Sequence, residues 1–163
     1  MNKVAIAYLT KDKVELSRRT IEPLLQSDKL DLIWIDGSVT KEGLDLPTAY
    51  PVYQIHHGIG GGPDAAVAYA LTAMVDAGYS YIGLCENDVL LQPNWFERTM
   101  ALFDEGEAAG LLVGAVSPRA YEDRILCQRD GYALMHNLGW GMQIMTRQAA
   151  QLALKYFRTG HTF

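Results

Sequence analysis

Two carboxylates directly follow an apolar segment near the middle of the chain. Glu86 and Asp88 come after residues 79–85, which favour a buried strand, and before the apolar pair Val89 and Leu90. Carboxylate oxygens suit Mg²⁺ or Mn²⁺, and such a cation would bridge to a diphosphate and offset the charge of a leaving group. An acidic loop before a helix is the alternative, but it does not explain why two acids immediately follow so apolar a strand. We therefore interpret Glu86 and Asp88 as ligands of Mn²⁺ or Mg²⁺.

A third carboxylate ends another apolar segment. Asp36 follows residues 30–35 and is itself followed by Gly37 and Ser38. There it could accept hydrogen bonds from ribose hydroxyls or a base N–H, while Gly37 permits a tight turn. Taken alone, the triplet favours an ordinary turn in which the three residues serve conformation only.

A glycine-rich segment precedes a predicted helix. It includes Gly58 and residues 60–62, and Pro63 and Asp64 follow it. It lacks the third glycine of the dinucleotide-binding fingerprint, and it lacks the lysine and hydroxyl residue of a P-loop. What remains is a permissive backbone and a helix start that could hold Asp64 against a sugar or a base.

Four other side chains could do chemistry. His56 and His57 are adjacent, so on a strand they point to opposite faces and cannot easily share one metal, which favours structural or surface roles. Cys85 is better interpreted as a buried strand cysteine than as a nucleophile. Trp140 lies between two glycines and could stack on a sugar or a base, although simple packing explains it equally well.

The elements that would position these residues alternate between strand and helix. Strands are predicted at residues 3–9, 30–35, 51–55, 79–85 and 111–116, and helices near residues 14–25, 64–77, 93–105 and 146–157. Pro23 should kink or end the first helix, and residues 37–48 and 117–130 are predicted to be loop or irregular. The alternation predicts a mostly parallel sheet with helices on its faces. Because ligands bind beyond the carboxyl ends of such strands, residues 10–13, 36–38 and 86–88 should converge there.

The composition is that of one folded domain. The 163 residues are 49% hydrophobic and 20% charged, so we predict a single domain over residues 1–163. The formal net charge of -5 and the absence of a basic block argue against a nucleic-acid partner. No apolar run is about 18 residues long, so no transmembrane segment is predicted. Two widely spaced cysteines fit a reduced, cytoplasmic chain.

Five motifs occur in the order found in one enzyme family. They are residues 4–10, residues 34–38, the glycine-rich segment and helix at 60–70, residues 81–88 with 91–95, and residues 139–141 with 146–147. In this order they resemble inverting GT-A glycosyltransferases of the family 2 type, over nearly the whole chain. The resemblance implies an α/β three-layer GT-A sandwich, with a mostly parallel central sheet and helices on both faces.

The resemblance also implies roles for individual residues. Thr10 and Asp36 would contact the nucleotide, Asp64 would lie near the base and the donor sugar, and Asp88 would bind the metal or the diphosphate. The family usually has Asp at the position of Glu86, whose side chain is one methylene longer.

The implied activity is transfer of a sugar from a nucleoside diphosphate donor to an unidentified hydroxyl acceptor, with inversion and metal assistance. In the family a carboxylate from a later segment removes the acceptor proton, and no residue up to Phe163 is identifiable as that base. A truncated or non-catalytic nucleotide-sugar-binding domain is therefore the alternative. A dinucleotide-binding oxidoreductase is disfavoured because its glycine fingerprint is missing.

Overall fold

The computed structural model describes residues 3–118, 125–129, 132–135 and 141–158. The strands are β1 (Val4–Thr10), β2 (Leu30–Asp36), β3 (Gln54–His57), β4 (Tyr81–Glu86), β5 (Ala115–Val116), β6 (Ile125–Arg129), β7 (Tyr132–Met135) and β8 (Met142–Thr146). The helices are α1 (Val14–Thr20), α2 (Glu22–Leu25), α3 (Lys41–Asp45), α4 (Pro63–Asp76), α5 (Trp95–Ala108) and α6 (Arg147–Arg158), with a 3₁₀ turn at Leu46–Ala49.

Six strands form one mixed sheet in the order β3-β2-β1-β4-β8-β5. The first four pair in parallel, whereas β8 is antiparallel to both β4 and β5. Strands β6 and β7 form a separate antiparallel pair. Because the connections from β1 to β2 and from β3 to β4 run through helices, the carboxyl ends of β1 to β4 share one edge of the sheet.

The sheet is buried on both faces, as the apolar sequences of its central strands require. One face packs its side chains, including Tyr8 and Trp34, against α1, α2 and α5. The other face packs Ala7 and Ile35 against α4 and α6, which contribute Leu71 and Ala150 among others. The predicted three-layer α/β sandwich with a mostly parallel sheet is therefore confirmed.

The end of the first helix and the start of the third strand can be compared with the prediction. Helix α1 ends at Thr20, and Pro23 lies in the first turn of α2, where its missing N–H costs no helical hydrogen bond. The third strand begins at Gln54, three residues later than predicted.

Three sequence predictions were wrong. The strand predicted at residues 111–116 contains only Ala115–Val116, part of the predicted irregular stretch, residues 125–129, is strand β6, and helix α3 lies within the predicted loop at residues 37–48. Strands β7 and β8 had not been assigned. All of these elements are short, and short strands depend on their pairing more than on local sequence preference.

No helix in the described part of the chain is both long enough and apolar enough to cross a membrane.

Candidate functional site

A row of polar side chains crosses the carboxyl edge of the sheet. Thr10 at the end of β1 is the sheet partner of Asp36 at the end of β2, which in turn is the partner of His57 at the end of β3. On the other side of β1, Leu9 is the partner of Glu86. Strand register therefore brings Thr10, Asp36 and His57, hereafter the polar row, to one edge with the acidic residues of β4.

Asp36 is the centre of the polar row and is completely buried. Its Oδ1 accepts hydrogen bonds from Thr10 Oγ1 at 3.2 Å and from the Ser38 backbone N–H at 3.0 Å. Its Oδ2 lies 2.9 Å from His57 Nδ1. Since a carboxylate can only accept, the imidazole Nδ1 carries the proton of that bond. Three donors from three chain segments thus fix the predicted nucleotide-contacting carboxylate in place.

Thr10 is held by an aromatic residue of the neighbouring strand. The buried indole of Trp34 donates from Nε1 to Thr10 Oγ1 at 2.7 Å, which leaves the hydroxyl hydrogen for Asp36. Tyr50 stacks on the same indole, with ring centroids 5.8 Å apart. The Thr10 hydroxyl is therefore oriented before any ligand arrives.

The glycine-rich segment after β3 borders open space beside the polar row. The Ile59 N–H donates to the Asp36 carbonyl at 3.2 Å, which attaches this segment to β2. A Cβ added at Gly58, Gly60 or Gly62 would meet no heavy atom within 4 Å. Gly58 and Gly62 have φ of 73° and 87°, a conformation that other residues rarely adopt. The segment thus leaves room for a ligand.

Asp64 is exposed in the first turn of α4, directly after this segment. Its predicted contact with the base or the donor sugar stays a prediction. A carboxylate at this position also stabilises the helix through the helix dipole, which is an ordinary structural role.

The acidic turn consists of Glu86, the last residue of β4, and of Asn87 and Asp88, which follow it. The turn is fixed through its central residue. Asn87 is only 7% exposed. Its Nδ2 donates to Ser17 Oγ at 2.8 Å, and its carbonyl accepts from Thr20 Oγ1 at 3.0 Å, so both contacts reach α1. Glu86 and Asp88 therefore flank a residue that these two contacts hold in place. The sequence offered one signal for this role, an amide between two acids after a buried strand.

A buried tyrosine extends this network under the turn. The Tyr8 hydroxyl lies 2.6 Å from Thr20 Oγ1 and donates to the Ser17 carbonyl at 3.1 Å. Burial raises the pKa of Tyr8 to about 12, so the phenol stays protonated at neutral pH. The network joins β1, α1 and the acidic turn.

The two carboxylates of the acidic turn influence each other. Partial burial raises the pKa of Glu86 above its ordinary range, and the negative charge of Asp88 raises it further, while Lys13 opposes both effects. The Lys13 ammonium is 4.0 Å from Asp88 Oδ2, and both side chains are more than half exposed, so this pair is a weak one. A divalent cation between the carboxylates would relieve their repulsion.

The described residues do not form a complete metal site. Within the described residues no group of three or more His, Cys, Asp or Glu side chains converges on one point. Glu86 and Asp88 would therefore supply two ligands, with the rest coming from phosphate oxygens and water. Mg²⁺ is commonly bound in this way.

Of the four other candidate residues, three lie in the described part of the chain, and their contacts can be compared with their predicted roles. Cys85 is buried, and burial raises the pKa of its thiol far above the ordinary range, which agrees with a packing role. His56 and His57 do point to opposite faces, since His56 Nδ1 bonds to the Tyr69 hydroxyl on α4 at 2.9 Å. The contact of His57 with Asp36 was missed. Trp140 lies outside the described residues.

A surface cavity of about 430 Å³ lies between α1 and α3, away from the polar row. Arg18 and Lys41 line it together with Glu42 and Asp45. These charges pair with one another, Arg18 with Glu42 at 4.0 Å and Lys41 with Asp45. We therefore propose no ligand for this cavity.

Comparisons with known proteins were made by sequence and by structure. No protein-family model matches the chain, and no curated protein matches its sequence. Solved structures, in contrast, match with high probability at low sequence identity, and three of them illustrate the range.

The first two were solved in complex with nucleotide sugars. A mannosyltransferase from Pyrobaculum calidifontis, solved with GDP-mannose and Mn²⁺, is 16% identical over 71% of this chain and 35% of its own, with a TM-score of 0.53. Staphylococcus aureus TarS, solved with UDP-GlcNAc, is 12% identical over 77% of this chain and 38% of its own, with a TM-score of 0.56. The present chain thus spans little more than a third of either protein.

The third is a nucleotidyl-transfer protein. The 4-diphosphocytidyl-2C-methyl-D-erythritol synthase of Anaerococcus prevotii is 10% identical over 99% of this chain and 79% of its own, with a TM-score of 0.63. Identities this low establish architecture alone. The chain has a GT-A-like fold, the α/β fold that nucleotide-diphospho-sugar transferases share.

Proposed function

We propose that the chain binds a nucleoside diphosphate sugar at the carboxyl edge of its sheet and transfers the sugar to a hydroxyl acceptor. The observation that carries this proposal is the convergence of the polar row and the acidic turn on adjacent strands of one sheet edge. Ligands of parallel α/β sheets bind at such an edge. Two proteins of similar fold were solved with GDP-mannose and with UDP-GlcNAc, which supports the same ligand class here.

The acidic turn would hold the diphosphate end of the donor. Glu86 and Asp88 would bind Mn²⁺ or Mg²⁺ together with diphosphate oxygens. When bound, the cation would supply positive charge that offsets the charge of the leaving nucleoside diphosphate. The buried Asn87 would keep both carboxylates in place as the site fills.

The other predicted residues would form the nucleotide side of the pocket. Thr10 and Asp36 would define its floor, Asp64 would face the base or the donor sugar, and Trp140 would stack on a sugar ring. The acceptor hydroxyl is unidentified, and so is the carboxylate that would remove its proton in an inverting reaction. We further propose a cytoplasmic protein.

Nucleotidyl transfer from a nucleoside triphosphate is the second candidate. The cytidylyl-transferring synthase has a higher TM-score than the mannosyltransferase, 0.63 against 0.53, and covers nearly all of this chain. The two reactions release different products. Sugar transfer consumes a nucleotide sugar and releases a nucleoside diphosphate, whereas nucleotidyl transfer consumes a triphosphate and releases pyrophosphate.

Thermal stability with nucleotides tests the binding step. The native chain, Asp88→Ala and Asp76→Ala would be melted with UDP, GDP, CDP and ADP, each with and without Mn²⁺. Asp76 is a matched control because it is exposed at the far end of α4. We expect a Mn²⁺-dependent rise in melting temperature for the native chain and Asp76→Ala, and at least a tenfold weaker affinity for Asp88→Ala.

Product analysis then separates the candidates. Release of nucleoside diphosphate from a sugar nucleotide supports glycosyl transfer, and pyrophosphate release from a triphosphate supports nucleotidyl transfer. Binding with neither product supports a non-catalytic nucleotide-sugar-binding domain. If no nucleotide changes the melting temperature under any condition, the proposed function is wrong.

A further inference from the structure

We propose that His57, and not Asp36, makes the direct contact with the base of the bound nucleotide. The inference rests on the proposed function, which it deepens by naming a specificity-determining residue. Neither residue type nor position marked His57 in the sequence, where it appeared to be a structural or surface histidine. The geometry of the polar row gives it a different role.

Asp36 cannot meet a ligand while the polar row is intact. Its side chain is 0% exposed, and its two oxygens already accept from Thr10 Oγ1, the Ser38 N–H and His57 Nδ1. A base N–H could reach this carboxylate only after His57 had left it. That exchange would break one hydrogen bond to a buried carboxylate in order to make another, with little net gain.

His57 is the most exposed member of the polar row, since Thr10 is only partly exposed and Asp36 is buried. Its side chain is 41% exposed, although its Nδ1 is bonded to a fully buried oxygen. Among the described residues, none bonds to the second ring nitrogen, Nε2. Because Nδ1 is held by Asp36, Nε2 is the ring nitrogen that is left for a ligand. A buried carboxylate that orients an imidazole for a ligand on its other side is the same arrangement that orients metal-binding and catalytic histidines.

The location of His57 suits the base end of a nucleotide. Strand β3 is three positions from β4 in the sheet order, which is about 14 Å at the usual strand spacing. A single phosphate group cannot span that distance, whereas an extended nucleotide with its diphosphate at the acidic turn can. The open space beside Gly58 and Gly60 adjoins His57 on the chain.

Nε2 offers one polar atom to the edge of a base. Every common base carries ring or exocyclic nitrogen and oxygen atoms on that edge, so each could bond to Nε2. The structure thus assigns the contact to His57 and leaves the identity of the base to the measurement.

Nucleotide affinity of two histidine variants tests this role. Isothermal titration with UDP, GDP, CDP and ADP in Mn²⁺ would compare the native chain with His57→Ala and His56→Ala. His56 is the matched control, because it precedes His57 on β3 but faces α4 and bonds to Tyr69. We expect about a tenfold loss of affinity for the nucleotide that the native chain prefers in His57→Ala, and less than a twofold change in His56→Ala.

A second measurement needs no variant. In the native chain, the ¹⁵N resonance of His57 Nε2 should shift when the preferred nucleotide is added with Mn²⁺, while both nitrogens of His56 stay unchanged. This readout remains decisive if His57→Ala fails to fold after Asp36 loses a partner.

The two proposals fail in different ways. If the native chain binds a nucleotide in a Mn²⁺-dependent manner that Asp88→Ala abolishes, but the His57 resonances do not move, this inference is overturned and the proposed function stands. If the native chain binds no nucleotide at all, both proposals are overturned.

Discussion

The polar row and the acidic turn occupy the same sheet edge but differ in how their charges are satisfied. The Asp36 carboxylate is fully buried and accepts three hydrogen bonds. Asp88, in contrast, is 51% exposed and has a cation only at 4.0 Å, and burial and repulsion raise the pKa of its neighbour Glu86. Hydrogen bonds within the protein satisfy the charge of Asp36, whereas an added cation would stabilise the charges of the acidic turn. We therefore expect the polar row to shape the pocket and the acidic turn to bind the charged part of its ligand.

The largest expected effect of a single substitution is at Asp36. Asp36→Ala should lower the free energy of unfolding by about 3 kcal/mol, because it leaves buried donors without an acceptor. The exposed Asp88→Ala should change it by less than about 0.5 kcal/mol. Urea denaturation of both variants measures the contrast. Equal losses would show that the two carboxylates do not differ in the way that their burial indicates.

A smaller effect is expected at Asn87, which joins the turn to the buried network. Asn87→Ala removes the donor to Ser17 Oγ and should cost about 1–2 kcal/mol of stability. It should also weaken Mn²⁺-dependent nucleotide binding, because Glu86 and Asp88 lose their common anchor. Gln92→Ala, an exposed amide substitution a few residues later, is the control and should change neither. Full nucleotide affinity in a destabilised Asn87→Ala would contradict the positioning role.

The smallest effect concerns the charge of Glu86. Because the folded-state pKa lies above the ordinary value of 4.5, the native state binds more protons than the unfolded state in the window between the two values. The free energy of unfolding therefore falls as pH rises through that window, and the loss is complete above it. Glu86→Gln should remove this dependence and raise metal-free stability at pH 7 by at most about 1 kcal/mol.

Thermal melts from pH 4 to 8 measure the Glu86 effect, with the exposed Glu105→Gln as control. Adding Mn²⁺ and the preferred nucleotide should reverse the order, so that the native chain becomes more stable than Glu86→Gln. An unchanged order would argue against Glu86 as a metal ligand.

Helix α3 and strand β8 were not predicted, and contacts with distant parts of the chain help to explain why. Helix α3 has only five residues, and the Asp12 carboxylate accepts from the backbone N–H groups of Val39 and Thr40 at its start. The N-cap of α3 is Thr40, whose hydroxyl accepts from the Gly43 N–H at 3.3 Å, and this local signal was overlooked. Asp12 lies 28 positions before Thr40, so no local pattern contains its contribution. Strand β8 is a short run of residues that also suit a helix, and its pairing with β4 decides its conformation.

The candidate site likewise has a part that local sequence patterns predicted and a part that depends on contacts between distant residues. The sequence placed Thr10, Asp36 and the acidic turn at one edge, because apolar runs identify buried strands and parallel strands end together. It did not identify His57, whose partner Asp36 is 21 positions away, or the bond between Asn87 and Ser17, which are 70 positions apart.

The layered α/β architecture and the sheet edge that carries the polar residues could be predicted from the amino-acid sequence, since both follow from local hydrophobic periodicity and the geometry of parallel strands. The folded structure was needed to learn which of those polar groups are buried, which are bonded to one another and which face solvent. Strand order and register set these properties, and both depend on contacts between residues that are distant along the chain.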